Sequence, residues 1–310
     1  MPASEAGDGG GNPAATGAPS AGFRWGWRLL LFLSLLFALT AVVGRAVSWL
    51  AGPPSGIGDA ALFGLASALP AAVVATWVMM SCVESRPLAS LGLRPRHAPG
   101  RLVAGAGIGA VLIGVLLALF AVAGWARWEV TPDVGAAGFR ALSGTALFLG
   151  LAAFLEELLF RGYPFRLLAE RFGARPAIAV TSTAFAAAHA ANPGVGVVAL
   201  ANTALAGILL GVLYWRTLSL WLVTGAHFGW NATLSVLADL PVSGLELPAP
   251  GIRASLSGPE ILTGGAYGPE GGLALLFVLL PAIAWAAGTR RLRREESDPA
   301  PNPLPGRRVT

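Results

Sequence analysis

Long apolar stretches alternate with short polar connections along this chain. A membrane-spanning helix needs about 20 largely apolar residues. Eight stretches approach or meet that length: residues 29–50, 60–82, 102–124, 141–168, 176–191, 197–215, 218–238 and 271–288. Proline and glycine clusters punctuate them, at Gly52-Pro53-Pro54, at Asn192-Pro193-Gly194 and through residues 241–270. The pattern predicts an all-α, polytopic membrane helix bundle of about eight transmembrane helices, spanning residues 23–290, with its motif-bearing core at 141–238. Residues 1–22 are a Gly/Ala/Pro/Ser tail without an apolar centre and are expected to be disordered, as is the basic tail 291–310.

Composition narrows this further. Hydrophobic residues make up 55% of the chain, charged residues 12%, and the mean hydropathy is +0.67. Soluble domains carry about 25% charged residues. The deficit excludes a soluble globular enzyme, a disordered chain and, despite a net charge of +5, a nucleic-acid binder. All 21 cations are Arg, with no Lys, which reads as codon bias of a GC-rich, bacterial genome. The single cysteine, Cys82, lies in an apolar run and reads as an inert core thiol.

The arginines sort by side. With the N-terminus in the cytoplasm, Arg24 and Arg28, the group from Arg86 to Arg101, the group from Arg166 to Arg175, Arg216 and the C-terminal run all fall inside. Only Arg127, Arg140 and Arg253 fall outside, with Asp239, Glu246, Glu260 and Glu270 of the long connection 239–270. This is the positive-inside asymmetry, and it predicts a multi-pass protein of a bacterial cell membrane with both termini cytoplasmic.

A few ionisable groups resist that account. Glu156, Glu157 and Arg161 lie within the fourth apolar stretch. Such groups are costly in a membrane and normally face a protein interior or a wet cavity. On a helix Glu157 and Arg161, four apart, meet on one face, while Glu156 is turned about 100° away. Glu157 therefore has a local counter-ion and Glu156 has none, the situation that suits a general base. The helix is expected to continue past Arg161 toward Arg171, bent near Pro164. His189, four residues after Phe185, and His227, four before Asn231, lie in later apolar stretches at comparable depth. A carboxylate and an imidazole can activate water, and an imidazole and an amide can donate to an oxyanion. A zinc site built from Glu156, His189 and His227 is an alternative with the same residues, although no HExxH is present.

Together Glu156-Glu157-x-x-x-Arg161, Phe185-x-x-x-His189 and His227-x-x-x-Asn231, in order on successive apolar stretches, resemble the CAAX prenyl endopeptidase and bacteriocin-processing (CPBP, or ABI) family. The resemblance covers residues 141–238. It implies an intramembrane glutamic endopeptidase with no cofactor. Glu156 would be the base that activates water, helped by His189. His227 and Asn231 would form the oxyanion hole, and Glu157, Arg161 and Phe185 would support them. The expected partners are the lipid bilayer and a peptide or membrane-protein substrate, with no nucleic acid. A non-catalytic scaffold, an immunity protein or a transporter is the rival class.

Overall fold

In the computed structural model of the chain, residues 21–130 and 134–292 are described. Nearly all of the two expected tails, together with the cations at 293, 294, 307 and 308, lies outside these residues. The described chain is mostly helical, in the order α1 (Ala21–Ala51), α2 (Ile57–Val78), α3 (Ala98–Val122), β1 (Ala126–Val130), α4 (Gly135–Arg161), α5 (Tyr163–Phe172), α6 (Ala174–Ala188), α7 (Val197–Thr217), α8 (Leu220–Ser235), β2 (Ile252–Leu256), the single turn α9 (Glu260–Thr263) and α10 (Leu276–Gly288).

Among the described residues, five helical segments are long and apolar enough to cross a membrane: Trp25–Ala51, Gly58–Val83, Pro95–Val122, Gly135–Phe172 and Val197–Thr217. The other three expected spans are shorter helices. α6 has 15 residues, α8 has 16 and α10 has 13. At 1.5 Å per residue they extend about 20–24 Å, short of a hydrocarbon core about 30 Å thick. In α8, thirteen of the 16 residues are buried, among them Thr224, His227, Asn231, Thr233 and Ser235. Its apolar positions face protein on all sides, as expected of a helix inside a bundle.

The helix expected to continue past Arg161 instead breaks there. Gly162 leaves the helix at ψ −126°, and α5 starts anew with Pro164 in its first turn. Proline has no N–H to give the carbonyl four residues back, and its ring crowds that carbonyl. At the first turn of a new helix neither matters.

α3 and α8 pack most intimately. A Cβ built on Gly105 or Gly109 of α3 would lie 2.0 Å from the carbonyl oxygen of Leu222 or Ala226. A Cβ on Gly225 or Gly229 of α8 would lie 2.2 Å or 2.1 Å from the carbonyl oxygen of Leu102 or Ala106. Each helix thus offers a Gly-x-x-x-Gly groove to the backbone of the other, the small-residue contact that allows close approach in membranes.

The two sets of connections gather at opposite ends. At one end Arg86 pairs with Glu170 at 2.6 Å, Arg166 donates to Ser90 Oγ at 2.6 Å, and Glu84 accepts from Arg28 at 3.3 Å and from Tyr163 at 3.0 Å. At the other end β1 and β2 form a two-stranded antiparallel sheet, with Trp128 opposite Ala254. Among the described residues, this sheet and an isolated bridge between Val242 and Leu245 depart from an all-helical fold. Cys82 sits exposed in a π-helical turn at Met79–Val83, and so is not a core thiol.

Candidate active site

α4 places Glu157 and Arg161 one turn apart, both side chains fully buried, with Nη1 3.0 Å from Glu157 Oε1. Two buried charges need more than each other, because desolvation costs several kcal/mol per ion. Arg161 Nη2 donates to the carbonyl of Gly207 on α7 at 2.8 Å, and its guanidinium lies 4.8 Å over the ring of Phe185 on α6. Gly207 sits where α6 and α7 nearly touch, since a Cβ there would be 3.0 Å from Ser182 Cβ. One arginine therefore ties three helices together beneath the site.

Glu157 has a second partner that its spacing in the sequence does not reveal. His227 Nδ1 lies 2.9 Å from Glu157 Oε1. A carboxylate accepts, so Nδ1 carries the hydrogen and the ring turns Nε2 away from it. His189 caps the end of α6 and is oriented in the same fashion. Its Nδ1 donates to the Phe185 carbonyl, four residues earlier, at 2.8 Å. The Phe185 ring packs between the two imidazoles, with centroids 4.6 Å from His189 and 5.9 Å from His227.

Both Nε2 atoms then face Glu156. Its Oε2 lies 3.8 Å from His189 Nε2 and 3.7 Å from His227 Nε2. That oxygen is buried and has no hydrogen-bond partner among the described residues, although the side chain as a whole is 30% exposed. The two glutamates are therefore divided by the helix turn. Glu157 is locked between Arg161 and His227, and Glu156 faces the imidazoles.

Beside this cluster lies a cavity of about 40 Å³, whose lining includes His189, His227, Asn231, Asn202, Ser243 and Glu270. The fold thus brings together Glu156, His189 and His227, surrounds them with Glu157, Arg161 and Phe185, and sets Asn231 in the cavity wall one turn after His227. Glu270 is the unexpected member. Its charge in a long connection reads as outer surface, yet its carboxylate accepts from Trp230 Nε1 at 2.8 Å and from Ser243 Oγ at 3.1 Å, as well as from the Ser243 N–H. Asn202 on α7 holds the adjoining backbone, donating to the carbonyls of Glu270 and Gly272 at 2.8 Å each. The only sequence clue to this clasp is a Trp beside Asn231. Among the described residues no three His, Cys, Asp or Glu side chains are arranged as a metal-holding group.

No curated protein matches this chain. A family model does, over residues 138–233, the stretch that holds the whole motif set from Glu156 to Asn231: there the chain is similar to the Rce1-like family, described as type II CAAX prenyl endopeptidase Rce1-like, in keeping with the CPBP resemblance.

Proposed function

We propose that this protein is an intramembrane endopeptidase that cleaves a peptide bond by direct attack of water activated at Glu156. The observation that carries this reading is the convergence of Glu156 Oε2 with two imidazole Nε2 atoms at 3.7 and 3.8 Å. Those separations exceed a direct hydrogen bond and suit a bridging water. Glu156 takes a proton from that water, with His189 Nε2 as the second acceptor. The water oxygen bonds to the peptide carbonyl carbon. His227 and Asn231 donate to the resulting oxyanion. The proton passes to the amide nitrogen, the C–N bond breaks, and a carboxylic acid and an amine leave. No covalent intermediate with the protein forms.

His227 can donate from Nε2 only when both ring nitrogens carry hydrogen, because Nδ1 already donates to Glu157. Glu157 supports that form. Glu157 Oε1 lies 3.0 Å from Arg161 Nη1 and 2.9 Å from His227 Nδ1, which gives Glu157 a task beyond pairing with Arg161. The arginine-rich end faces the cytoplasm of a bacterial cell in this reading, by the positive-inside asymmetry.

Glu156→Gln tests the assignment. Purified protein reconstituted in vesicles is offered a peptide library, and new termini are read by mass spectrometry. The variant keeps the wild-type melting temperature and cleaves nothing. A fully active variant sinks the reading. A zinc-dependent form of the same hydrolysis would use Glu156, His189 and His227 as ligands. Activity that survives a strong chelator supports the glutamic mechanism, and activity lost to chelator and restored by zinc overturns it.

A further inference from the structure

β1 has a free edge. The Ala254 N–H of β2 donates to the Ala238 carbonyl at 2.7 Å, and the Ser257 N–H donates to the Trp125 carbonyl at 2.8 Å. With Trp128 opposite Ala254, these two bonds fix the ladder. Residues 125, 127 and 129 face β2 with their N–H and C=O groups, and those of Ala126, Trp128 and Val130 point the other way. Among the described residues no backbone hydrogen bond reaches that outer row. Trp128 is 44% exposed and Val130 68%. An open row of this kind is a template for another strand.

The residues of β1 say which strand. In Ala126-Arg127-Trp128-Glu129-Val130 opposite charges flank the central Trp128. Neither belongs to an ion pair among the described residues, and Arg253, the cation opposite Glu129 in the ladder, pairs with Asp239 at 2.7 Å. A second copy of β1, laid antiparallel with Trp128 on Trp128, sets Arg127 against the partner's Glu129 on both sides of the centre. Those are the positions without ladder bonds, where facing side chains stand closest. The alternate positions exchange about six backbone hydrogen bonds. A parallel copy in the same register would set like charges together.

The sheet is also turned the right way. Its inner face carries Ala254, in the core, with Ala126 and Leu256 packed against that core, and its outer face carries the exposed Arg127, Glu129, Arg253 and Ser255. It lies across the end of the bundle. The two-fold axis of an antiparallel pair is perpendicular to its sheet, so here it runs along the bundle and both protomers keep one orientation in the membrane. Below β1, α3 turns Gly105 and Gly109 to α8, and its opposite, exposed face carries Gly107, Val111, Gly114, Val115 and Ala118, whose short side chains permit close approach. We propose that β1 is an interface between two copies of this chain, joined antiparallel about Trp128 with one sheet continuous across both.

Cross-linking in vesicles tests this. Cys82→Ser protein carrying Trp128→Cys is reconstituted at low density and oxidised. Cα atoms of a hydrogen-bonded pair lie about 5.5 Å apart, within disulfide reach, so a covalent dimer forms. Adding Arg127→Glu sets a second carboxylate against the partner's Glu129 and lowers the cross-linked fraction about tenfold. Glu129→Arg, which sets two guanidiniums together, does the same. Mixing the two charge variants restores the cross-link, because each protomer then meets its complement. Melting temperatures confirm that every variant is folded. Absence of the cross-link in folded protein, indifference to the charge variants, or failure of the mixture to recover overturns the proposal. Monomers at every density also overturn it, and leave lipid headgroups and water covering the edge.

Discussion

Replacing Gly109 by alanine puts one methyl group where the structure has no room for it. The new Cβ would lie 2.0 Å from the Ala226 carbonyl oxygen and 2.5 Å from the Trp230 nitrogen. Both are backbone atoms of α8, so no side-chain rotation relieves the contact. α3 and α8 must part by about 1 Å, and misplacement on that scale costs about 100-fold in rate when it reaches a reacting group. It does reach one here, because the carbonyl struck belongs to the residue before His227, and Trp230 precedes Asn231. Overpacking costs about 1–3 kcal/mol, and the gain in helix propensity from Gly to Ala returns about 1 kcal/mol. The net effect on stability is therefore smaller than the effect on the site. Gly107→Ala is the matched control on the same helix, since nothing lies within 4 Å of the Cβ it adds. Melting temperatures in detergent and cleavage rates in vesicles are compared for the two variants. Gly109→Ala melts lower by a few degrees and loses about 100-fold in cleavage, while Gly107→Ala matches or slightly exceeds wild type in both. If the two variants behave alike, the reciprocal glycine contact does not position His227 and Asn231.

Two further expectations follow from the charges. Arg161→Met leaves Glu157 as a buried carboxylate without its guanidinium and lowers stability by about 3–5 kcal/mol. Adding Glu157→Leu recovers much of that stability without restoring cleavage, because His227 has then lost its acceptor; this is read as melting temperature against rate in the double variant. Tyr267 lies outside the spanning helices, and its hydroxyl is held above the ordinary tyrosine value of 10.0, first by burial and then by the neighbouring charge of Glu270. A raised folded-state value means that the unfolded chain ionises first, so the contribution is complete below about pH 10 and is lost as pH climbs above it. Melting temperature therefore falls more steeply above pH 10 in the wild type than in Tyr267→Phe, and parallel curves would count against a buried, neutral Tyr267.

Local spacing carried far in the sequence, and contacts between distant segments did not. The four-residue step from Glu157 to Arg161 is a property of any α-helix, so that ion pair is readable without a fold. The hydrogen bond from His227 to the same carboxylate joins residues 70 apart and depends on how α4 and α8 cross. Hydropathy has a comparable blind spot. It marks residues 218–238 as a span because they are apolar, but it does not separate a helix wrapped in lipid from one wrapped in protein, which is why the eight expected spans become five of spanning length. Glu270 is hidden for a further reason. Charge counting assigns a connection to a side, whereas the path of the chain from Asp239 to Gly272 is set by turns at Asp239, Ser243 and several glycines with positive φ. The Gly-x-x-x-Gly spacings at 105–109 and 225–229 are visible in the sequence, but nothing there says that each groove receives the other helix.

The motif residues all lie within 138–233, yet that stretch does not complete its own site. α8 holds His227 and Asn231, and the backbone it packs against belongs to α3, about 120 residues earlier in the chain. Asn202 and Trp230 both lie inside the matched stretch, and their hydrogen-bond acceptors, the Glu270 carboxylate and the carbonyls of Glu270 and Gly272, lie beyond its end. Chemistry and enclosure thus come from different parts of the chain. A water-activating cluster needs only the helices that carry its ligating and donating groups. Enclosing that cluster needs walls, and although most of the cavity's walls lie within the matched stretch, Ile108, Gly109 and Leu112 of α3 together with Ser243, Glu270 and Leu275 lie outside it. Substitutions at those six residues should therefore alter the shape of the cavity while leaving every motif residue in place.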